Sequence, residues 1–234
     1  MKSRFQYIIL LTLVLGATSC KKDNFEAPSS TLIGRIMYNN EEIGLEYNQV
    51  PLELYQPGFG KVGAIAGSFK QDGSYSTLLF NGNYKMIIPT GQGPFQWRET
   101  TAGVRDTLAV TVSGNQTLDL QAIPYFMIRG AAYTLTGTSL AASFRADQII
   151  TGPNAKTIER INLYINKTQF VSSADNIANA EITASAITNP SAITLTATVP
   201  AIVPAQNYVF VRIGLKISGV EDMIFSPLQK IQTN

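Results

Sequence analysis

Histidine is absent from this 234-residue chain, and cysteine occurs once, at Cys20. Without histidine, the sequence excludes the Ser-His-Asp and Cys-His mechanisms, histidine-ligated zinc and the usual general base at neutral pH. A single cysteine excludes a disulfide framework and a cysteine-ligated metal site. The catalytic options that remain are carboxylate pairs, lysine and tyrosine, and we expect neither a cofactor nor a metal site.

Charged residues are also scarce, since they make up 15% of the chain against about 25% in a typical globular protein. The 18 Lys and Arg residues outnumber the 16 Asp and Glu residues by two. That excess disappears when Lys2 and Arg4 are removed, and both lie in the leader described next. A neutral chain offers no electrostatic footprint for nucleic acid and no basic patch for anionic lipid.

Residues 1–19 have the pattern of a secretion leader: a basic start, the apolar run YIILLTLVLGA, and small residues before Cys20. The run is too short to cross a bilayer, which needs about 20 apolar residues. The arrangement resembles the bacterial lipoprotein signal, so we expect lipid on the Cys20 thiol and a tether over residues 20–30. The alternative is an ordinary secreted protein with an incidental cysteine near its cleavage site.

The segment KKDNFE directly follows Cys20. In lipoproteins of the Bacteroidetes, a short stretch of lysines and acids at this place resembles an export signal to the outer face of the outer membrane. The sequence therefore predicts a lipid-anchored outer-membrane protein that faces the cell exterior.

From Thr31 onward, short alternating apolar runs are separated by Gly, Asn and Pro, which is the pattern of an all-β chain. The strongest local signals are Asp72-Gly73 and Asn81-Gly82, two hairpin turns with apolar residues on both sides. About seven strands are expected over residues 31–123, which is the size of one β-sandwich.

Pro124 interrupts this pattern, and a second strand series follows, so we predict a second sandwich over residues 124–234. Its cleanest alternation lies in NYVFVRIGLKISGV, which places every second residue, from Val209 to Leu215, on one face of a strand. Residues 172–187 show no clear period and are predicted to be mostly irregular. A last strand is expected from about Pro227.

The order of GRI, NNEEI, VPLELYQ, FKQDGSY and LFNGNYKM resembles the transthyretin-like or carboxypeptidase-regulatory-like modules. With the leader, DNFEAP, GPFQW, VRDTLAVTV and IPYFMI, the whole chain resembles a Bacteroidetes family of two-domain lipoproteins of unknown function. Members of that family are typically encoded beside outer-membrane glycan-import pairs of the starch-utilisation (SusC/SusD-like) type. The resemblance implies a transthyretin-like first sandwich, an immunoglobulin- or fibronectin III-like second sandwich, and a surface accessory protein for glycan capture.

The segment TGQGPFQWRET contains the only tryptophan, Trp97, and its glycines and proline predict a loop. Sugars bind to aromatic rings because the apolar face of a pyranose stacks on the ring while nearby polar groups bond its hydroxyls. We therefore name Phe95, Gln96, Trp97 and Arg98 as candidate ligand-binding residues. The alternative is that Phe95 and Trp97 plug the end of the sandwich or the joint between the domains.

Asp106-Thr107-Leu108 resembles the three-residue O-glycosylation acceptor of exported Bacteroidetes proteins, with Thr107 as the modified residue; a plain strand start is the alternative. The acidic residues are scattered along the chain. A glycosidase needs two carboxylates about 5–10 Å apart across a cleft, and solvated turn charges are the better interpretation here.

The sequence thus predicts a non-enzymatic surface lipoprotein that assists glycan binding or uptake. One rival is a structural module that docks onto a transporter complex and never contacts sugar. Another is an adhesin or toxin-like role. Exposed aromatic rings in a concave site favour glycan binding, whereas a broad flat apolar patch favours docking.

Overall fold

The computed structural model describes residues 26–58 and 63–233, and strands account for most of their regular structure. Helical structure within these ranges consists of two 3₁₀ turns, Gly152–Asn154 and Ala184–Ala186. None of the helical segments there has the length and apolar character needed to cross a bilayer. The prediction of an all-β chain with two β-sandwich domains is confirmed.

In its described residues, the first sandwich contains thirteen strands, several of them only two residues long. They are β1 (Ser30–Tyr38), β2 (Glu41–Glu42), β3 (Pro51–Tyr55), β4 (Ile65–Ser68), β5 (Ser74–Leu79), β6 (Gly82–Ile87), β7 (Phe95–Gln96), β8 (Glu99–Thr101), β9 (Val104–Arg105), β10 (Leu108–Val112), β11 (Gln116–Thr117), β12 (Leu120–Gln121) and β13 (Ile123–Pro124).

Two sheets form the layers of this sandwich. In one, β1 runs antiparallel to β5 and parallel to β11 and β12. The other has the strand order β10-β6-β3-β4. Alternate residues point inward, so that Leu32 and Ile36 of β1 and Leu52 and Leu54 of β3 are fully buried.

The hairpin before β5 shows why the predicted turn forms. Gly73 has a φ of 74°, a backbone conformation that glycine adopts without steric cost. The Asp72 carboxylate accepts hydrogen bonds from the Ser74 backbone N–H at 3.1 Å and from the Ser74 hydroxyl at 2.7 Å. The side chain thereby closes the turn on itself, as Asp does in turns generally.

The second sandwich contains eight strands within residues 124–233. They are β14 (Phe126–Thr136), β15 (Ser139–Gln148), β16 (Ile158–Asn166), β17 (Ala178–Thr183), β18 (Ile193–Thr198), β19 (Tyr208–Ile217), β20 (Ile224–Phe225) and β21 (Gln229–Gln232). One sheet has the order β14-β15-β18, and the other has the order β17-β16-β19, with β20 and β21 both paired to β19.

Residues 172–187 differ from the prediction, because residues 178–183 form strand β17. This strand pairs with β16 over six residues and lies at the edge of its sheet. Its burial alternates only between half-buried and exposed, so its sequence lacks the strong apolar period on which the prediction relied. A 3₁₀ turn, Ala184–Ala186, follows β17, and the predicted last strand is β21.

Strand β19 is the central strand of the second domain. Val209, Val211, Ile213 and Leu215 are fully buried in the core, as the alternation predicts. The opposite face is not free, because Arg212 on that face is only 1% exposed. The first domain covers this face of β19, because the Arg212 side chain bonds the backbone carbonyls of Leu45 and Gln71.

Candidate functional site

The segment around Trp97 is packed into the first domain. Phe95 is 1% exposed and Trp97 is 5% exposed, and the indole Nε1–H of Trp97 donates to the Asp106 backbone carbonyl at 2.9 Å. Gly93, with a φ of 82°, lies against the Phe95 ring, where a Cβ would overlap it. The two rings therefore belong to the hydrophobic core.

A shallow cleft of about 440 Å³ opens beside this segment, and we call it the Trp97 cleft. Its lining combines two aromatic residues with three side-chain amides: Tyr38, Asn39, Gln96, Trp97, Arg98, Gln121, Ala122 and Ile123. Arg98 is exposed and lies 3.7 Å from the Asp106 carboxylate. The cleft thus brings Gln96, Trp97 and Arg98 together, while Phe95 does not line it.

The expected aromatic platform is therefore not formed by these rings. The fold covers both, because Phe95 and Trp97 lie in the hydrophobic core, and Trp97 is only 5% exposed where it lines the cleft. That Gln96, Trp97 and Arg98 bind a ligand stays a prediction.

The loop that precedes Phe95 is held by a half-buried arginine. Arg105 donates to the backbone carbonyls of Ile88, Pro89 and Gln92 at 2.8–3.1 Å. Burial lowers the pKa of its guanidinium from the usual value. These bonds fix the loop so that its tip contacts the second domain.

At that contact, the Gly93 backbone N–H donates to the Asp222 carboxylate at 2.6 Å. Asp222 is 8% exposed, and burial raises the pKa of its carboxyl group above the ordinary value. Beside it, the Gln92 amide donates to the exposed Glu221 at 3.0 Å. These two hydrogen bonds form a first contact region between the domains.

A second contact is the ion pair between Arg129 and Glu41. The Arg129 Nε–H donates to Glu41 at 2.8 Å, and the same guanidinium bonds Asp147 of its own domain at 3.0 Å. Arg129 precedes a bulge in β14 at which Gly130 has a φ of 63°. The bulge breaks the strand register beside Arg129.

The third contact is centred on Arg212. Its guanidinium donates to the backbone carbonyls of Ser226 and Leu45, each at 3.0 Å, and to the carbonyl of Gln71 at 2.9 Å. It also bonds the Gln71 side-chain oxygen at 3.2 Å and lies 4.5 Å from the centroid of the Phe225 ring. Burial lowers the pKa of Arg212, and neutral carbonyl groups, rather than a carboxylate, accept its hydrogen bonds.

Gln71 links this arginine to the surface. Its side-chain amide donates to the Gln169 carbonyl at 2.8 Å and accepts from the Val171 backbone N–H at 3.1 Å. The two bonds flank Phe170, so a side chain of the first domain fixes the loop of the second domain that carries this ring.

Above Gln71, a cleft of about 600 Å³ lies between the domains, and we call it the interdomain cleft. It is lined by Glu42, Gly44, Tyr47, Lys70, Gln71, Asp72, Gln169, Phe170, Pro227 and Leu228. Tyr47 and Phe170 meet edge to face there, with ring centroids 5.0 Å apart. The rings are 40% and 39% exposed.

Sequence reasoning missed this cleft. Tyr47 and Phe170 are 123 positions apart and lie in loops without a motif, so no local pattern joins them. Arg212 gave no signal of it either, since a charge on the outer face of an alternating strand is also the pattern of a strand that faces water.

A third cleft, of about 660 Å³, lies within the second domain and is lined by Phe126, Ala146, Asp147, Gln148, Ala155, Lys156, Thr157, Ile158, Ala184, Ile187, Pro190 and Ser191. Its single aromatic ring, Phe126, is buried. Within residues 26–58 and 63–233, no three His, Cys, Asp or Glu side chains come together as metal ligands.

Two predicted modification sites remain. Thr107 is half-buried and directly precedes β10, and its backbone N–H donates to the Asp106 carboxylate at 2.7 Å. Cys20 lies outside the residues that the structure describes. Both modifications stay predictions.

Both domains of the chain match known protein families in sequence. Residues 30–123 match the N-terminal domain of a protein family of unknown function, DUF3823, and residues 126–230 match a domain of unknown function, DUF3823_C. No curated protein matches it in sequence.

Solved structures agree with this assignment. A DUF3823 family protein from Parabacteroides merdae is 29% identical, with a TM-score of 0.76, and one from Bacteroides ovatus is 25% identical, with a TM-score of 0.76. A "putative carbohydrate binding protein" from Bacteroides uniformis is 19% identical, with a TM-score of 0.68. Each alignment covers 88% of this chain and 100% of the other.

These matches confirm the resemblance to a two-domain Bacteroidetes family of unknown function. The chain belongs to the DUF3823 family and carries both of its domains in order.

Proposed function

We propose that this protein is a non-catalytic carbohydrate-binding protein of the cell surface, held at the outer membrane by lipid on Cys20. It would act beside a glycan-uptake pair of the SusC/SusD-like type. The observation that carries the carbohydrate part is the composition of two open clefts. Both the Trp97 cleft and the interdomain cleft combine aromatic rings with side-chain amides, the chemistry that recognises a pyranose ring and its hydroxyls.

The sequence supports a binding role rather than catalysis. The chain has no histidine, so the usual neutral-pH general base is missing. The carboxylates at the interdomain cleft are engaged, because Glu42 pairs with Arg35, and Asp72 lies 3.8 Å from the same guanidinium. The "putative carbohydrate binding protein" from Bacteroides uniformis points in the same direction, although it supports only the fold at 19% identity.

Affinity gels test the carbohydrate part. The lipid-free chain from residue 21 onward would be run through gels that contain starch, xylan, pectic galactan or laminarin. Retardation by at least one of these polysaccharides is expected, with bovine serum albumin as the unretarded control. Migration identical to the control in every gel would contradict the proposal.

Membrane fractionation tests the anchor. In a Bacteroidetes host, the full chain is expected in the outer-membrane fraction and open to added protease, whereas Cys20→Ser is expected to leave that fraction. Because this readout needs no sugar, it separates the anchoring claim from the binding claim. A Cys20→Ser variant that remains membrane-bound would contradict lipidation at this residue.

A docking module is the second candidate, and one observation favours it. Ile33 of β1 and Leu78 of β5 are 44% and 56% exposed, and they lie diagonally on the outer face of one sheet. If this patch binds a transporter, Leu78→Glu should abolish co-purification with the uptake pair and leave retention in the polysaccharide gels unchanged.

A further inference from the structure

Two aromatic side chains are exposed in the part of the chain that the structure describes, and they contact each other. Tyr47 is 40% exposed and Phe170 is 39% exposed; the centroids are 5.0 Å apart, with 61° between the ring planes. Tyr47 belongs to the first domain and Phe170 to the second. The fold thus builds a composite aromatic surface from residues that are far apart in the chain.

The position of this surface is that of a ligand site. The two rings form one wall of the interdomain cleft, whose volume of about 600 Å³ lies within the usual range of about 300–1,000 Å³ for ligand pockets. Small-molecule sites also occur preferentially at domain interfaces. Exposed apolar rings in a concave site are costly to leave in water, so a role for them there is expected.

The polar groups at the rim are available to a ligand. The Lys70 ammonium and the Gln169 side-chain amide form no hydrogen bond or ion pair with the described residues, and both residues are exposed. The carboxylates of Glu42 and Asp72, in contrast, are paired with Arg35. Uncommitted donors beside aromatic rings suit a ligand that is rich in hydroxyl groups.

The floor of the cleft is held rigidly. Gln71 bonds the backbone on both sides of Phe170, and the buried Arg212 in turn bonds Gln71 twice. A site that is fixed before binding loses less conformational entropy when the ligand arrives. Tyr47 and Phe170 are therefore presented together without rearrangement.

The other two clefts lack a pair of exposed aromatic rings. Trp97 and Phe126 are each 5% exposed, and Tyr38, which also lines the Trp97 cleft, is half-buried. Neither cleft has an aromatic residue as exposed as Tyr47 or Phe170. The interdomain cleft is the better candidate on this ground.

We propose that the interdomain cleft is an oligosaccharide-binding site in which Tyr47 and Phe170 form the stacking surface. Lys70 and Gln169 donate hydrogen bonds to the sugar hydroxyls. This inference rests on the proposed carbohydrate-binding function and assigns the site for it. Since each domain supplies one ring, binding requires both domains in their observed arrangement.

The test uses the polysaccharide that retards the lipid-free chain most strongly in affinity gels. In Tyr47→Leu/Phe170→Leu, apolar packing is largely kept while both rings are lost. We expect its dissociation constant to rise by about tenfold or more, which corresponds to about 1.4 kcal/mol. The matched control is Val104→Ala, which shortens an exposed apolar side chain that lines neither cleft and should leave the dissociation constant unchanged. Arg98→Ala/Gln121→Ala tests the Trp97 cleft as the competing site.

A second variant distinguishes a loss of binding from a loss of folding. Lys70→Ala/Gln169→Ala removes two exposed, unpaired side chains and should preserve the thermal unfolding temperature while weakening binding several-fold. If the protein binds and only the Trp97-cleft variant loses affinity, the inference is overturned and the carbohydrate function stands. If no polysaccharide retards the unaltered chain, the carbohydrate function itself fails.

Discussion

Trp97 and the Tyr47–Phe170 pair both border clefts, but their rings have opposite environments. Trp97 is buried, and its indole N–H is bonded to the Asp106 carbonyl. Tyr47 and Phe170 are each about two-fifths exposed, and their contacts leave ring surface open. The comparison shows that the rarity of a residue in the sequence indicates little about its availability to a ligand. Availability depends on what the fold places over the ring.

The largest expected effect is a difference in the free energy of unfolding between a Trp97 variant and a Tyr47 variant. Trp97→Ala should lower the free energy of unfolding by about 3–5 kcal/mol, because it removes a large buried ring and leaves a cavity. Tyr47→Ala should lower it by about 1 kcal/mol, since only part of the ring contact is lost. Urea denaturation of both variants measures the difference. Equal losses would show that the two sites are not distinct in this way.

A second prediction concerns the support beneath the interdomain cleft. Arg212→Met removes the donor for three backbone carbonyls and for the Gln71 side chain. Buried acceptors without partners cost about 1–3 kcal/mol each, and removal of the buried charge offsets part of that cost. The net loss of unfolding free energy should be about 3 kcal/mol.

The control for Arg212 is Arg145→Met. Arg145 has a side chain that is 53% exposed, and its substitution should change stability by less than about 0.5 kcal/mol. The Arg212 variant should also weaken polysaccharide retention, because Gln71 no longer holds the loop of Phe170. Unchanged stability in Arg212→Met would contradict the account of the joint.

The smallest predicted effect lies at the contact beside the Trp97 segment. Because burial raises the pKa of Asp222, folding favours its protonated form. The stability that this preference contributes is fully present below the unfolded pKa of about 3.9 and is lost as the pH rises through the folded value. Asp222→Asn should therefore be slightly more stable than the unaltered chain at pH 7.

This gain should vanish below about pH 4, where Asp222 is neutral in both states. Denaturant titrations between pH 3 and pH 8 would follow it, with the exposed neighbour Glu221→Gln as the charge-matched control. A loss of stability in Asp222→Asn at pH 7 would mean that the charged bond to the Gly93 N–H outweighs the cost of burial.

Much of the fold follows from local sequence signals. The turn at Asp72-Gly73 and the apolar alternation of β19 depend on neighbouring residues, and both form as predicted. Strand β17 was missed because it is an edge strand with weak alternation. The covering of Arg212 was missed for another reason: an alternating pattern identifies the core face of a strand and does not say what lies on the other face.

The candidate site depended even more on long-range structure. Tyr47 and Phe170 become neighbours through the packing of two domains, and no spacing rule connects them. Trp97 attracted the sequence prediction because glycines and a proline surround it. The structure shows that Gly93 serves a packing role, since its missing side chain leaves room for the Phe95 ring.

The crystal structure of the complex with an oligosaccharide from the retained polysaccharide tests the central claim most directly. The account predicts a pyranose ring stacked on Tyr47 or Phe170 in the interdomain cleft, with its hydroxyls within hydrogen-bond distance of Lys70 or Gln169. A sugar bound in the Trp97 cleft or elsewhere, with Tyr47 and Phe170 left uncovered, would contradict it.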